Sequence, residues 1–155
     1  MTIKAGDKLP DATFKIMTAD GPAETTTAEL FSGKTVVLFA VPGAFTPTCD
    51  RKHLPSYVGH AEVIRSGGFD TVACMSVNDV FVMHAWGLSR GAGDKVLMLA
   101  DGNGDYTEKL GLVLDCRNFD MGIRCKRFAM VVSDGVVESL ELDDASIDAL
   151  TVCGL

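Results

Sequence analysis

"TVVLFAVPGAFTPTCD", residues 35–50, begins as an unbroken apolar run and ends on a thiol. Residues 35–41 are β-branched and apolar without alternation, the pattern of a strand buried on both faces. An ordinary strand-to-helix loop needs only a turn residue and a cap. This one carries two prolines, a glycine, two threonines and then Cys49. If a helix starts near Pro47 or Thr48, Cys49 lies in its first turn, where unpaired backbone N–H groups and the positive end of the helix dipole favour a thiolate. Cysteines so placed fall from a pKa of about 8.5 to below about 7.5. Thr46 sits three residues earlier, with a hydroxyl able to face the sulfur or a molecule bound beside it. Pro42 restricts the incoming chain and brings no competing N–H.

Working outward, residues 47–66 read as one helix kinked at Pro55. "FDTVACMSV" (69–77) and "KVLMLAD" (95–101) read as further buried strands. "NDVFVMHAWGLSR" (78–90) reads as a helix capped by Asn78 or Asp79, with Phe81, Ala85 and Leu88 at helical spacing. "GDYTEKLGL" (104–112) is a short helix. "RFAMVVSDGVVESLEL" (127–142) is a hairpin turning at Asp134-Gly135, and a last helix is expected from about residue 144 toward Cys153. Strands alternating with helices and closing on a hairpin predict an α/β fold, with a central mixed β-sheet flanked by helices. The early strands should pair in parallel through helical crossovers. Functional groups in such folds gather at the carboxyl ends of the strands, where residues 42–49 fall.

The chain has 155 residues, which fits a single domain over 1–155. Its formal charge of −7, from 14 basic and 21 acidic residues, argues against nucleic acid or an anionic membrane as partner. No apolar run reaches the roughly 18 residues of a membrane helix, and "MTIKAGDKLPDATF" shows no signal or transit pattern. A soluble, cytoplasmic protein is the expectation. Five cysteines (Cys49, Cys74, Cys116, Cys125, Cys153) are odd in number and irregularly spaced, without CxxC and without histidines at zinc spacing. Reduced thiols are expected, with no metal or organic cofactor.

Pro42-x-x-x-Thr46-x-x-Cys49, at the end of a buried strand, is a specific arrangement. "VPGAFTPTC" resembles the active-site signature of the peroxiredoxins, and "FAVPGAFTPTCDRKHLPSYV" resembles their type II, peroxiredoxin-5-like branch. "CMSVNDVFVMHAWG" (74–87), "LMLADGNGDYTEKLGL" (97–112) and "RCKRFAMVVSDGVVESL" (124–140) resemble later segments of the same branch in the same order. The resemblance implies a thioredoxin-like fold and a thiol-dependent peroxidase. It implies Cys49 as peroxidatic nucleophile, with Pro42 and Thr46 as its loop partners and Arg127 as the active-site arginine. Arg117, Arg124 and Lys126 have no such match and are read as surface charges.

The implied chemistry is attack of the Cys49 thiolate on hydrogen peroxide or an organic hydroperoxide, leaving a sulfenic acid. Thr46, backbone N–H groups and Arg127 are the donors available to the leaving oxygen. Re-reduction then needs another thiol. The candidates, in order, are an outside thiol (glutathione with glutaredoxin, or thioredoxin), Cys153 and Cys74. Cys153 lies near the position of the internal resolving cysteine in peroxiredoxin-5-like proteins, and Cys74 matches the second cysteine of plant-like type II proteins. "TVACMSV" around Cys74 also reads as a core strand. The resemblance further implies a homodimer, with Phe45 and the 78–86 segment as contacts, and a role in antioxidant defence and cell redox homeostasis. A disulfide oxidoreductase would need CxxC, where this chain has Thr46 and Cys49. A redox sensor would use the same cysteine but oxidise slowly.

Overall fold

A computed structural model describes residues 2–47 and 49–143. Its seven-stranded sheet contains β1 (Thr13–Thr18), β2 (Gly21–Thr26), β3 (Thr35–Ala40), β4 (Thr71–Ser76), β5 (Leu97–Ala100), β8 (Arg127–Ser133) and β9 (Val136–Asp143). The strand order is β2-β1-β5-β4-β3-β8-β9. Pairs β3–β4 and β4–β5 are parallel. Pairs β1–β2, β1–β5, β3–β8 and β8–β9 are antiparallel, so the sheet is mixed as expected. A small second sheet pairs β6 (Val113–Asp115) with β7 (Ile123–Cys125).

The central strands are apolar on both sides because both faces are covered. Val36, Leu38 and Ala40 of β3 join a core with Phe14, Phe31, Tyr106 and Phe128. Helices α1 (Thr27–Phe31) and α4 (Asp105–Leu110) contribute Leu30, Phe31, Tyr106 and Leu110 to that face. Val37, Phe39 and Val41 point the other way, into a core with Cys49, Tyr57, Cys74 and Trp86. That face is covered by α2 (Leu54–Ser66) and α3 (Val80–Ser89). Phe39 has no solvent exposure, and truncating such a ring to alanine costs about 3–5 kcal/mol.

Several local expectations change in the structure. The span read as one kinked helix is a π-helix over Cys49–His53 followed by α2, and Pro55 lies in the first turn of α2. Proline fits there because the first-turn N–H groups have no intrahelical acceptor. Helix α3 is capped by Asp79, whose side chain accepts from Val82 N, but its apolar stripe is not the inward face. Phe81 and Leu88 are exposed, and Val80, Met83, Trp86 and Gly87 are buried. The segment is helical as expected, and the spacing of Phe81, Ala85 and Leu88 did not say which side faces inward, because an all-round apolar helix has no strong preferred side. The hairpins β1–β2 and β6–β7 and helix α1 had no expectation at all. The β8–β9 turn behaves as read: Asp134 (φ 49°) and Gly135 (φ 79°) both take the left-handed conformation of a two-residue hairpin turn. The last expected helix and Cys153 lie outside the described residues.

Candidate active site

The site is built where β3 ends. Val41 N still bonds Met75 O of β4 (3.2 Å), and the next residues leave the sheet. Two short side chains hold this exit. The Ser76 hydroxyl is shared between Val41 O (3.1 Å) and Asn78 Oδ1 (2.7 Å), and Ala44 N donates to the same Asn78 Oδ1 (3.0 Å). Pro42 and Gly43 are buried, and Phe45 is half exposed with φ at +63°. A phenylalanine in the left-handed region is strained, and such strain concentrates at functional loops. Thr46 closes the turn by donating Oγ1–H to Gly43 O at 2.6 Å. Its hydroxyl proton is thus committed to the loop itself, where the sequence suggests a hydroxyl facing the sulfur or a molecule bound beside it.

Cys49 opens the π-helix and is fully buried. Asp50 N donates to Thr46 O (2.8 Å), which joins the loop to this turn. π-Turns are rare and recur at functional sites. Arg127 arrives through sheet register. Ala40 pairs with Phe128, so Arg127 stands abreast of Val41, where the loop departs. Phe128 belongs to the core on one face, and alternation turns Arg127 to the other, beside Cys49. Its guanidinium, 1 % exposed, donates from Nη2 to Cys49 Sγ at 3.3 Å and from Nη1 to His53 Nδ1 at 2.8 Å. A guanidinium donor is held more strongly by a thiolate than by a thiol.

The structure therefore brings together Cys49 and Arg127, with Thr46 and Pro42 on the loop that precedes them. It adds residues that motif reading passed over. His53, fully buried, packs beside Phe39 (ring centroids 4.9 Å) and Tyr57 (5.5 Å), and these two rings stack on each other at 3.9 Å. Asp50 receives the Trp86 indole N–H on Oδ1 (2.9 Å) and Arg90 through Nε (2.8 Å) and Nη2 (2.6 Å). The Arg90 hydrogen bond holds the Asp50 carboxyl below the usual carboxylate range. The signal for His53 was available: it stands four residues after Cys49 on one helical segment and so returns to the same side. Arg124 is a correction. It is half-buried, donating from Nε to Met121 O (2.8 Å) and from Nη1 to Val77 O (3.1 Å). A Cβ on Gly43 would come within 3.3 Å of its Nη1, so it braces the loop from behind. Arg117 is exposed and pairs with Asp115, as a surface charge.

Cys74 lies opposite Phe39 on β4, fully buried in the Cys49 core. Burial first, and the neighbouring Cys49 second, push its thiol well above the ordinary range. Burial likewise raises Cys116, and takes Cys125 up to about 12. The four described cysteines are all free thiols.

The sequence profile of the Redoxin family matches residues 4–151. Peroxiredoxin-2B of Arabidopsis thaliana is 44 % identical over 133 residues, covering 85 % of this chain and 82 % of that protein. The chain is a peroxiredoxin of the redoxin family. Another relative among the peroxiredoxins, the chloroplastic peroxiredoxin-2E of Arabidopsis thaliana, is 48 % identical over 147 residues. That match takes in 92 % of this chain and 63 % of the plant protein, so the chain spans under two thirds of that relative. Among solved structures, reduced Prx3 from Vibrio vulnificus in complex with H2O2 superposes with a TM-score of 0.92 at 44 % identity, covering 97 % of this chain and 93 % of the other. The expected thioredoxin-like peroxiredoxin fold is thereby established, and the type II, peroxiredoxin-5-like resemblance agrees with these relatives.

Proposed function

We propose that the chain is a thiol-dependent peroxidase that reduces hydrogen peroxide and organic hydroperoxides, with Cys49 as nucleophile. The observation that carries this reading is the 3.3 Å contact from Arg127 Nη2 to the buried Cys49 Sγ. The contact sets a fixed donor cation at the sulfur a peroxide would meet, and the enclosure leaves little room for large electrophiles. In the proposed reaction the thiolate attacks one peroxide oxygen and the O–O bond breaks. Sulfur loses two electrons and becomes a sulfenic acid, and the other oxygen takes a proton and leaves as water or alcohol. Arg127 supplies N–H groups to the charge developing on oxygen. Thr46 has given its proton to Gly43 O, so its Oγ1 lone pair is the natural acceptor for the peroxide O–H. The Vibrio relative, crystallised with H2O2, supports peroxide as the substrate.

An outside thiol then attacks the sulfenic sulfur and releases water, and a second thiol reduces the mixed disulfide. Glutathione with glutaredoxin, or thioredoxin, would serve in this role. The burial and raised pKa of Cys74 support an outside thiol over that residue. The proposal extends to a homodimer. Phe45 and Phe81 are 50 % and 64 % exposed, on two segments that the Ala44–Asn78 hydrogen bond ties together, and exposed rings of this size support a partner surface there. It also places the protein in the reducing cytoplasm, in antioxidant defence and cell redox homeostasis.

The test is stopped-flow oxidation of the reduced protein by hydrogen peroxide, wild type against Cys49→Ser, followed by intact mass. Rapid oxidation confined to wild type, with a gain of one oxygen, is expected. Oxidation no faster than that of free cysteine would sink the reading.

A further inference from the structure

His53 is a polar ring placed where a core would ordinarily hold an apolar one, with no solvent exposure and aromatic contacts to Phe39 and Tyr57. Its Nδ1 lies 2.8 Å from Arg127 Nη1. A guanidinium has donors only, so Nδ1 must accept, which fixes a neutral ring with its proton on Nε2. The same guanidinium spends Nη2 on Cys49 Sγ. A flexible arginine side chain sweeps a wide arc unless something pins its planar head. Here the plane is pinned at Nη1 by an imidazole that itself packs, tilted, against the side of the Phe39–Tyr57 pair, whose rings stack at 3.9 Å and within 8° of parallel.

We propose that His53 is a positioning residue for the peroxidase reaction: its Nδ1 holds Arg127 Nη1 so that Nη2 is aimed at the Cys49 sulfur and at the peroxide oxygen this sulfur attacks. The inference rests on the peroxidase reading above. Cys49, Asp50 and the intervening Arg51 and Lys52 place His53 on the same short π-helix as the nucleophile. Nucleophile and brace for the guanidinium therefore move as one piece.

The measurement compares second-order oxidation by hydrogen peroxide for wild type, His53→Leu and His53→Asn, with alkylation of Cys49 by iodoacetamide run in parallel. Asn carries an acceptor oxygen near the place of Nδ1, and Leu carries none. His53→Leu should lose about tenfold or more toward peroxide, with alkylation changed by less than about threefold, and His53→Asn should recover most of the loss. In an Arg127→Gln background, His53→Leu should add little, because the partner it acts through is gone. Should the Leu variant fail to fold, His53→Gln, whose polar atoms fall near Nε2, takes its place in the comparison with Asn. A Leu variant as fast as wild type would overturn the inference, and so would equal losses for Asn and Leu. A parallel fall in alkylation, or full additivity with Arg127→Gln, would do the same. In each of those cases fast oxidation of wild type would leave the peroxidase reading standing, and slow oxidation of wild type would remove that reading first.

Discussion

The indole N–H of Trp86 donates to Asp50 Oδ1 across 2.9 Å, which ties helix α3 to the turn that carries Cys49. Arg90, one helical turn further along, grips both oxygens of the same carboxylate. Together these bonds anchor the residue beside the nucleophile to helix α3.

Asp50→Asn should therefore destabilise the protein, by about 1 kcal/mol for a partly exposed pair. The sign with pH follows from the Asp50 carboxyl, held low chiefly by Arg90. A depressed folded pKa contributes stability that is complete above the unfolded value of about 3.9 and is lost as pH falls through the folded value. Urea midpoints should separate wild type from the variant at pH 7 and converge in strong acid. A gap unchanged into acid would show that the carboxylate charge plays no part.

Thr46→Val removes the hydroxyl that closes the loop onto Gly43. Peroxide oxidation should slow by about 10- to 100-fold, with a stability loss of about 1 kcal/mol. Thr46→Ser should stay close to wild type, and equal rates for Val and wild type would rule out the acceptor role.

Cys74→Ala deletes a buried sulfur that faces the Cys49 core. With an outside thiol as reductant, the rate of oxidation and the mass of the oxidised product should match wild type, at a stability cost of about 1–2 kcal/mol. A wild-type product two hydrogens lighter, lost in the variant, would make Cys74 the resolving residue.

Arg124→Ala releases the carbonyls of Met121 and Val77 behind the loop. A stability loss of about 1–2 kcal/mol is expected from those two bonds, with a smaller fall in oxidation rate than Thr46→Val gives. Thermal melts and the peroxide assay on the same sample separate the two effects.

Residues 35–50 carried most of what could be read from the chain. The two-sided strand, the exit loop and the thiol at a helical start all follow from local chemistry, and each has its counterpart in β3, Pro42–Thr46 and Cys49. Arg127 was reachable only through family resemblance, because its place depends on the Ala40–Phe128 register across 88 residues of chain. Arg124 was misread for the same reason: its acceptors, Met121 O and Val77 O, lie on segments that meet only in the folded sheet. The π-helix was invisible, since a wide turn and an ordinary one present the same residues in the same order. The outward stripe of α3 shows how spacing predicts a period without giving its phase.

Trp86 is the only tryptophan in the chain, and it is wholly buried in the core that contains Cys49. Its indole proton sits on the residue next to the nucleophile, and its ring lies 6.4 Å from that of Phe45 on the strained loop. The protein thus contains its own optical probe: with excitation beyond the tyrosine absorption band, emission comes from one ring, and that ring is hydrogen-bonded to the residue beside the nucleophile. Loosening of the Cys49 turn strips the indole of its acceptor and admits water to it, so the spectrum shifts without any dye or label.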